Sequence, residues 1–573
     1  MTDACDAVLN SDEITLTRFI DARHDRANTL LQRIPRHMRR KASAYDRKRF
    51  PKSFQTQFQN VLEMGKKIKR RAIKRLRSRK QKPPNYTKKN VTWIASHLWH
   101  AKRFHMATKW GWRVPMFRND KGVRVVYRAV HFISACQDQS YYRCFEFKGN
   151  MNTLTELKFS FEPKGLSIQD QYEQELLLYY DQQLLGPCFI GYNKNLELIW
   201  IWAHVCIYDQ IKFICELNEI KELIRFRVYG PLATSLIDIQ LEGPLSIVPK
   251  DNQILNFKMN DPRLARYSLT DVMENHLKLQ ASIEVNHVDH SLWSLSVREQ
   301  VISSFANIDD QKVKQGNVLA ASFPVQLIFR GRLGNESDGF GSHWDMIIPL
   351  PYAKYVWHSL VYGGARPIGM REMKQIYLEV GKCVFPDEFP DTLAGQTDNE
   401  LEALSSYDQY SRRPISKRIN YDKLGVADPF RFHWKELQDY WANILNVQQL
   451  NSKLLVQRFS AAIHDGTYLH PVLIYLRNRP LSSNSFILIS KSSANLQQNH
   501  PSLIEKDLNK FTRSENFLII GYVTHCSFSM LRGRCIAKGM IISEYLNQNQ
   551  YFVQNIRNTD IAQCKVTPLN KNC

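Results

Sequence analysis

Positive charge is concentrated in one fifth of this 573-residue chain, and that concentration sets what the chain can fold into. Residues 18–130 hold 33 Lys and Arg against five acids (Asp21, Asp25, Asp46, Glu63, Asp120), a local balance of +28 that leaves −5 for the rest of a chain whose formal net charge is +23. Such density opposes compaction and calls for a polyanionic partner, whereas the mildly acidic remainder can form an ordinary core. Whole-chain values of 23% charged and 43% apolar residues exclude both a disordered polyelectrolyte and a membrane bundle. At about 100–200 residues per domain, roughly two to four folded units are expected.

The expected organisation is an acidic lead (1–17), a basic arm (18–150), and a mixed α and β body in three parts, 151–320, 321–400 and 401–573. Pro35, Pro51 and the Pro83-Pro84 pair interrupt the arm. Its densest stretch, Arg33–Lys52, carries Arg33, Arg36, Arg39, Arg40, Lys41, Arg47, Lys48, Arg49 and Lys52, and the predominance of Arg suits bidentate phosphate contacts. Val61, Met64, Ile68, Ala72 and Leu76 fall at helical spacing among basic residues, which predicts a basic amphipathic helix over Val61–Lys80. A second helix is predicted from a Thr92 cap to a stop at Gly111, interleaving His97, Trp99, His100, Phe104, Trp110 and Trp112 with Lys102, Arg103 and Lys109. Aromatic faces for bases beside cations for phosphates is the pattern expected of binding to single-stranded or irregular RNA.

Beyond position 150, apolar runs at 186–190, 196–208, 226–232, 325–329, 472–476, 486–489 and 517–523 read as strands, and Glu436–Val447 as a helix. Phe385–Lys417 reads as a loop-rich boundary holding a second basic cluster, Arg412, Arg413, Lys417 and Arg418. The eleven cysteines form no C-x-x-C pair, so neither a zinc ribbon nor a disulfide framework is expected. His97, His100 and His105 have no Cys or carboxylate beside them in sequence, so no metal site is expected there either. The glycine-rich Gly331–Asp345 lacks the Gly-Lys-Ser/Thr of a P-loop, and no catalytic triad order or H-E-x-x-H occurs. MTDACDAVLNSDE has no apolar signal core, and the longest apolar run, Leu198–Tyr208, is far short of the roughly 20 residues of a membrane span. A reducing intracellular compartment and no membrane partner are expected.

Three separated blocks closely resemble the Pop-one family, the largest protein subunit of eukaryotic ribonuclease P and ribonuclease MRP. The first comprises IPRHMRRKASAYDRKRFPK, SHLWHAKRFHMATKWGWRVP and YRAVHFISACQDQSYY; the second is PVQLIFRGRLGNESDGFGSHWDMIIPLPYAKYVWHSLVYGGARPIGMRE with FPDEFPDTLAG, the POPLD region; the third is GYVTHCSFSMLRGRCIAKG. RFRVYGPLA, DPRL and RRPISKRINYDKLG fall between them in order. One departure is His525-Cys526, where the family carries a smaller pair, often with glycine. The resemblance implies an α+β fold: an extended, partly helical arm and a body similar to the folate-binding aminomethyltransferase of the glycine-cleavage T-protein. It implies an RNA-binding scaffold for the catalytic RNAs of ribonuclease P and MRP, in tRNA 5′-leader removal and pre-rRNA processing. Other protein subunits are direct partners and precursor tRNA an indirect one.

The implied RNA contacts are the nine basic residues of Arg33–Lys52, then His97, Trp99, His100, Lys102, Arg103 and Arg128, and the loop residues Arg412, Arg413, Lys417 and Arg418. No catalytic residue and no protein-bound cofactor are implied; Mg2+ belongs to the RNA, and the location is nucleus and nucleolus. The rival reading is a folate-dependent one-carbon transferase, although fold likeness alone does not carry chemistry. A third reading makes the basic helix a membrane-surface binder, which its few large apolar residues disfavour. Much of the arm is expected to be unstructured without RNA.

Overall fold

A computed structural model of the chain describes residues 91–569 apart from gaps, the longest being 280–291, 308–321, 332–338, 446–453, 459–466 and 491–511. The Arg33–Lys52 run, the helix expected over Val61–Lys80 and the expected disorder of the arm lie outside the described residues. Internal contacts divide the chain at Asn90/Val91.

Two six-stranded sheets form the centre of the body. The first runs, in spatial order, Asn218–Ile220, Tyr142–Lys148, Leu198–His204, Gln183–Asn193, Glu173–Tyr180, Phe159–Glu162, antiparallel throughout. The second runs Ile254–Asn260, Ser322–Arg330, His343–Pro349, Leu223–Tyr229, Ala135–Asp138, Arg366–Pro367, with only the last pairing parallel. Residues 91–150, expected in the arm, therefore belong to the body, since Ala135–Asp138 and Tyr142–Lys148 are strands of its two sheets. LIWIWAH (Leu198–His204) is buried at every position because both faces of its sheet are covered. The same apolar run then turns into the helix Val205–Ile214 instead of continuing as strand.

Leu223–Tyr229 (LIRFRVY) is also buried throughout, yet two of its residues are arginines. Alternation sends Phe226 and Val228 to one face, against Trp344, Met346 and the helices Ala233–Asp238, Leu269–Leu279 and Ala353–Tyr362. It sends Arg225 and Arg227 to the other, between the sheets. There Arg225 donates to Glu173 at 2.6 and 3.0 Å and to Asp345 at 2.6 Å, Arg227 to Asp345 at 2.6 and 2.9 Å and to the Tyr377 hydroxyl at 2.9 Å, and Arg330 to both carboxylates. Phe189 lies under Arg225 at 4.2 Å. Burial alone would raise the Asp345 carboxyl, but Arg225 and Arg227 hold it well below the usual carboxylate range.

The C-terminal strands close on themselves. Phe486–Ser490, Tyr551–Gln554, Ile561–Pro568, Leu469–Tyr475, Arg534–Ile542 and Phe517–Ser529 pair in that order, and Phe517–Ser529 pairs again with Phe486–Ser490, so the ring is closed. The helix Trp434–Leu445 packs Trp434, Leu437 and Trp441 into the barrel core, and Trp441 Nε1 donates to the Ile519 carbonyl at 2.9 Å. His525-Cys526, the departing pair, lie within a strand, beside a register shift between Val523 and His525.

Two expectations are corrected. Thr92–Gly111 is not one helix: only His97–His100 is helical, and Phe104–Lys109 pairs with Trp112–Arg118 as a hairpin, with Thr92–Trp93 added beside it. Trp110 (φ 55°) and Gly111 (φ 74°) both adopt positive φ, the signature of a type I′ turn, so Gly111 turns a hairpin where a helix stop was expected. Nor is Phe385–Lys417 a boundary. Phe385 and Phe389 are buried in the core of the first sheet, and Thr392 caps the helix Leu393–Ser411 by accepting from the Gly395 amide at 3.0 Å. A Cβ on Gly395 would lie 1.9 Å from the Phe389 carbonyl oxygen, so only glycine fits this close approach.

Candidate nucleic-acid interface

Residues 91–132 contain eight Lys and Arg and one acid, Asp120, and the hairpin gathers several of them onto one surface. Phe104 pairs with Arg118, and the Asn119 amide donates to the Arg103 carbonyl at 3.0 Å, which brings Arg103 beside Arg118. Arg366, from the edge strand of the second sheet, reaches Asp120 at 2.7 Å, while Arg118 lies 3.3 Å from the same carboxylate. Arg366 Nε is buried with no hydrogen-bond partner among the described residues. Burial first, then the charges of Arg366 and Arg103, pull the Arg118 pKa down. Two guanidiniums, Arg118 and Arg366, share the Asp120 carboxylate, and Arg103 adds a third positive charge felt by Arg118, which leaves uncompensated positive charge that a polyanion would relieve.

Next to this cluster His105 pairs with Phe117 across the hairpin, ring centroids 4.4 Å apart at 32°, and the Arg371 guanidinium stands 4.4 Å from the Phe117 ring. Lys102 and Arg103 are exposed, as are Arg124 and Arg128 on the helix Val123–Phe132. Lys102, Arg103 and Arg128 were expected from sequence. His105, Phe117, Arg118, Arg366 and Arg371 were not, although Arg366 and Arg371 stand in the GGARPIGMRE part of the second block.

The aromatic and imidazole contacts expected of His97, Trp99 and His100 are corrected. His97 and His100 are buried, and burial above all lowers their pKa values to about 4 and about 3, so neither brings charge to a phosphate at neutral pH. His100 Nδ1 meets the Ser96 hydroxyl at 2.9 Å, and Ser96 in turn donates its amide to the buried Asp138 at 2.8 Å. Trp99 packs its ring edge-on to Trp357 at 5.8 Å and carries Arg103 at 4.5 Å, which leaves it anchoring the segment to the second sheet. Of the second basic cluster, Arg412, Arg413 and Lys417 are exposed, but Arg412 pairs with Asp408 at 2.5 Å. Arg418 donates to the carbonyls of Arg413 (2.8 Å) and Ser411 and closes the end of the Leu393–Ser411 helix. Arg33, Arg36, Arg39, Arg40, Lys41, Arg47, Lys48, Arg49 and Lys52 lie outside the described residues.

The hairpin tip is tied down by charge. Trp110 Nε1 donates to Asp398 at 3.0 Å, Lys109 reaches Asp398 at 3.2 Å and Asp387 at 3.9 Å, and Lys374 pairs with Asp387. Asp387, Asp398 and Glu402 do bring three carboxylates together, and Lys109 and Lys374 are already paired with two of them. Under the tip lies His204, with Trp110 edge-on at 4.6 Å and a pKa lowered to about 3 by burial.

His100 and His204 stay neutral in the folded state but take up protons near pH 6.5 once unfolded. Their contribution is therefore complete above pH 6.5 and is lost as the pH falls towards 3, by about 1 kcal/mol per pH unit for each. Urea unfolding at pH 7.5 and pH 5 is expected to show the midpoint falling at the lower pH, with His204→Gln flattening the difference. Equal midpoints at both pH values would contradict the burial described.

Three family models match the chain: "Ribonucleases P/MRP protein subunit POP1, N-terminal" over residues 55–150, "POPLD (NUC188) domain" over 343–434 and "POP1 C-terminal domain" over 474–563. The chain is similar to Ribonucleases P/MRP protein subunit popl-1 of Caenorhabditis elegans, 25% identical over 472 residues, covering 72% of this chain and 62% of that protein. It is also similar to Ribonucleases P/MRP protein subunit POP1 of Homo sapiens, 23% identical with 72% and 58% covered, and to pop1 of Schizosaccharomyces pombe, 24% identical with 61% and 57% covered. The chain thus spans about three-fifths of the length of these relatives. Among solved structures, glycine cleavage system aminomethyltransferase T from Bartonella henselae is similar at TM-score 0.46 and 10% identity, covering 84% of this chain and 98% of that one.

Proposed function

Because the chain belongs to the POP1 family of ribonucleases P/MRP protein subunits, we propose that it is an RNA-binding scaffold of those particles, holding the fold of their RNA while the RNA carries the catalytic Mg2+. The protein itself supplies no catalytic group in this reading, and the particle acts in tRNA and pre-rRNA processing in the nucleus and nucleolus, alongside other protein subunits. The observation that carries it is the pairing of Arg118 and Arg366 on the single carboxylate of Asp120 with Arg103 beside Arg118, which joins the N-terminal family segment to the POPLD segment. Like charges held this close cost folding free energy, and a phosphate backbone turns that cost into affinity. Among the described residues no helix is long and apolar enough to cross a membrane.

Arg103 and Arg128 are exposed, so reversing them leaves the fold intact. The Arg103→Glu, Arg128→Glu double variant is expected to bind RNA about ten- to a hundredfold more weakly. The slope of log K against log salt should fall by about two, one for each phosphate that is no longer neutralised. Fluorescence anisotropy at several salt concentrations reads both. Unchanged affinity and slope would remove this surface from the RNA-binding account.

A further inference from the structure

We propose that the solvent-facing side of His105 seats one unpaired base of the bound RNA, with Phe117 and Arg371 as the layers that hold the imidazole in place. The inference rests on the RNA-binding reading and names the kind of RNA this surface takes. His105 is exposed although it belongs to a hairpin in which Phe104 and Trp112 are buried, and its ring packs on Phe117 with centroids 4.4 Å apart and planes inclined at 32°. Packing on Phe117 fixes the orientation of the imidazole, so little conformational freedom remains to be lost when a further flat ring is added. The Arg371 guanidinium lies 4.4 Å from the centre of the same phenyl ring and helps to hold it, and Arg371 is itself anchored to Glu372 at 3.2 Å.

The charges around the stack choose the partner. Arg103 lies two residues before His105 and Arg118 directly follows Phe117, and the two arginines come together across the hairpin, so a base seated on His105 would have its phosphates within reach of cations. A duplex keeps its bases stacked inside and offers only backbone and groove to such a surface, whereas a loop, bulge or single strand can present a base face. An exposed aromatic ring beside arginines is therefore matched to unpaired RNA, and it tolerates any base because every base has a π-face.

The test uses the full chain with two probes, a single-stranded RNA of about 16 nucleotides containing several 2-aminopurines and a blunt RNA duplex of similar length. On the single strand, wild-type protein is expected to quench 2-aminopurine fluorescence. His105→Ala should bind it about tenfold more weakly with the quench reduced and the salt slope unchanged, and His105→Phe should keep both affinity and quench. Duplex binding should be equal for all three proteins. His105→Ala binding the single strand as tightly as wild type, or losing single strand and duplex equally, overturns the stacking seat while leaving RNA binding in place. Wild-type protein that binds neither probe overturns the reading beneath it.

Discussion

Raising monovalent salt from about 50 to 200 mM is expected to weaken RNA binding by the intact chain by roughly four to five orders of magnitude. The size of the effect follows from charge: if about ten phosphates are neutralised, log K falls against log salt with a slope near −7 for single strands and −9 for duplex. Most of that slope should reside in residues 18–90. They hold 25 Lys and Arg and four acids, and they end where the body begins at Val91, so their deletion removes no strand of the described fold. A deletion reaching to residue 130 would be a different experiment, because it would tear out the hairpin and part of the helix under the Arg118 and Arg366 cluster. The shorter deletion should leave a residual slope of only about two to three, carried by the surface around Arg103 and Arg128. A slope unchanged by the deletion would show that the charged arm is not where phosphates bind.

The second large effect is on stability. Asp345→Ala removes the carboxylate shared by Arg225, Arg227 and Arg330 and leaves three sealed guanidiniums with Glu173 as the remaining carboxylate of the network. Breaking a buried pair from one side costs about 3–5 kcal/mol, since the partner charge stays desolvated. Chemical denaturation at a much lower midpoint, or failure to express as soluble protein, is the expected result; a loss below about 1 kcal/mol would mean that water reaches the network. The pH signature separates this network from the histidines. Asp345 is held below its usual range, so its contribution is complete above its unfolded value near 3.8 and is lost only in stronger acid, whereas the histidine contribution fades already from pH 6.5 downward.

This network also shows where the sequence was readable and where it was not. The seven strands expected from apolar runs all form, and the helix expected over Glu436–Val447 is found as Trp434–Leu445. RFRVYG was visible as an alternating segment, but alternation alone places arginine towards water, and only the first sheet, which brings Glu173, turns that face into an interior. The hairpin was missed because Trp93, His97, His100 and Phe104 recur at helical spacing, while its turn is Trp-Gly in place of the Asn-Gly or Asp-Gly that marks most type I′ turns. The Leu393–Ser411 helix was missed for a different reason: it buries Ala394, Gly395, Asp398 and Ala403, which carry no apolar periodicity.

For the interface, local charge was legible and assembly was not. Lys102, Arg103 and Arg128 announce themselves within a basic stretch. Arg366 and Arg371 join them from about 240 residues away, through an edge strand and the start of the helix Met370–Val380. His97, Trp99 and His100 share the composition of a base-binding segment, but the two histidines are buried and Trp99 packs half-buried against the core. The proposed kind of partner came from the family resemblance.

The most direct measurement is crosslinking of this protein to RNA in cells, followed by sequencing of the RNA recovered and identification of the crosslinked peptides. The account predicts enrichment of the RNAs of ribonuclease P and MRP, with crosslinks in the 18–90 arm and around Arg103–Arg118. Recovery of unrelated transcripts without those RNAs, or crosslinks confined to the acidic Leu393–Ser411 face, would contradict it.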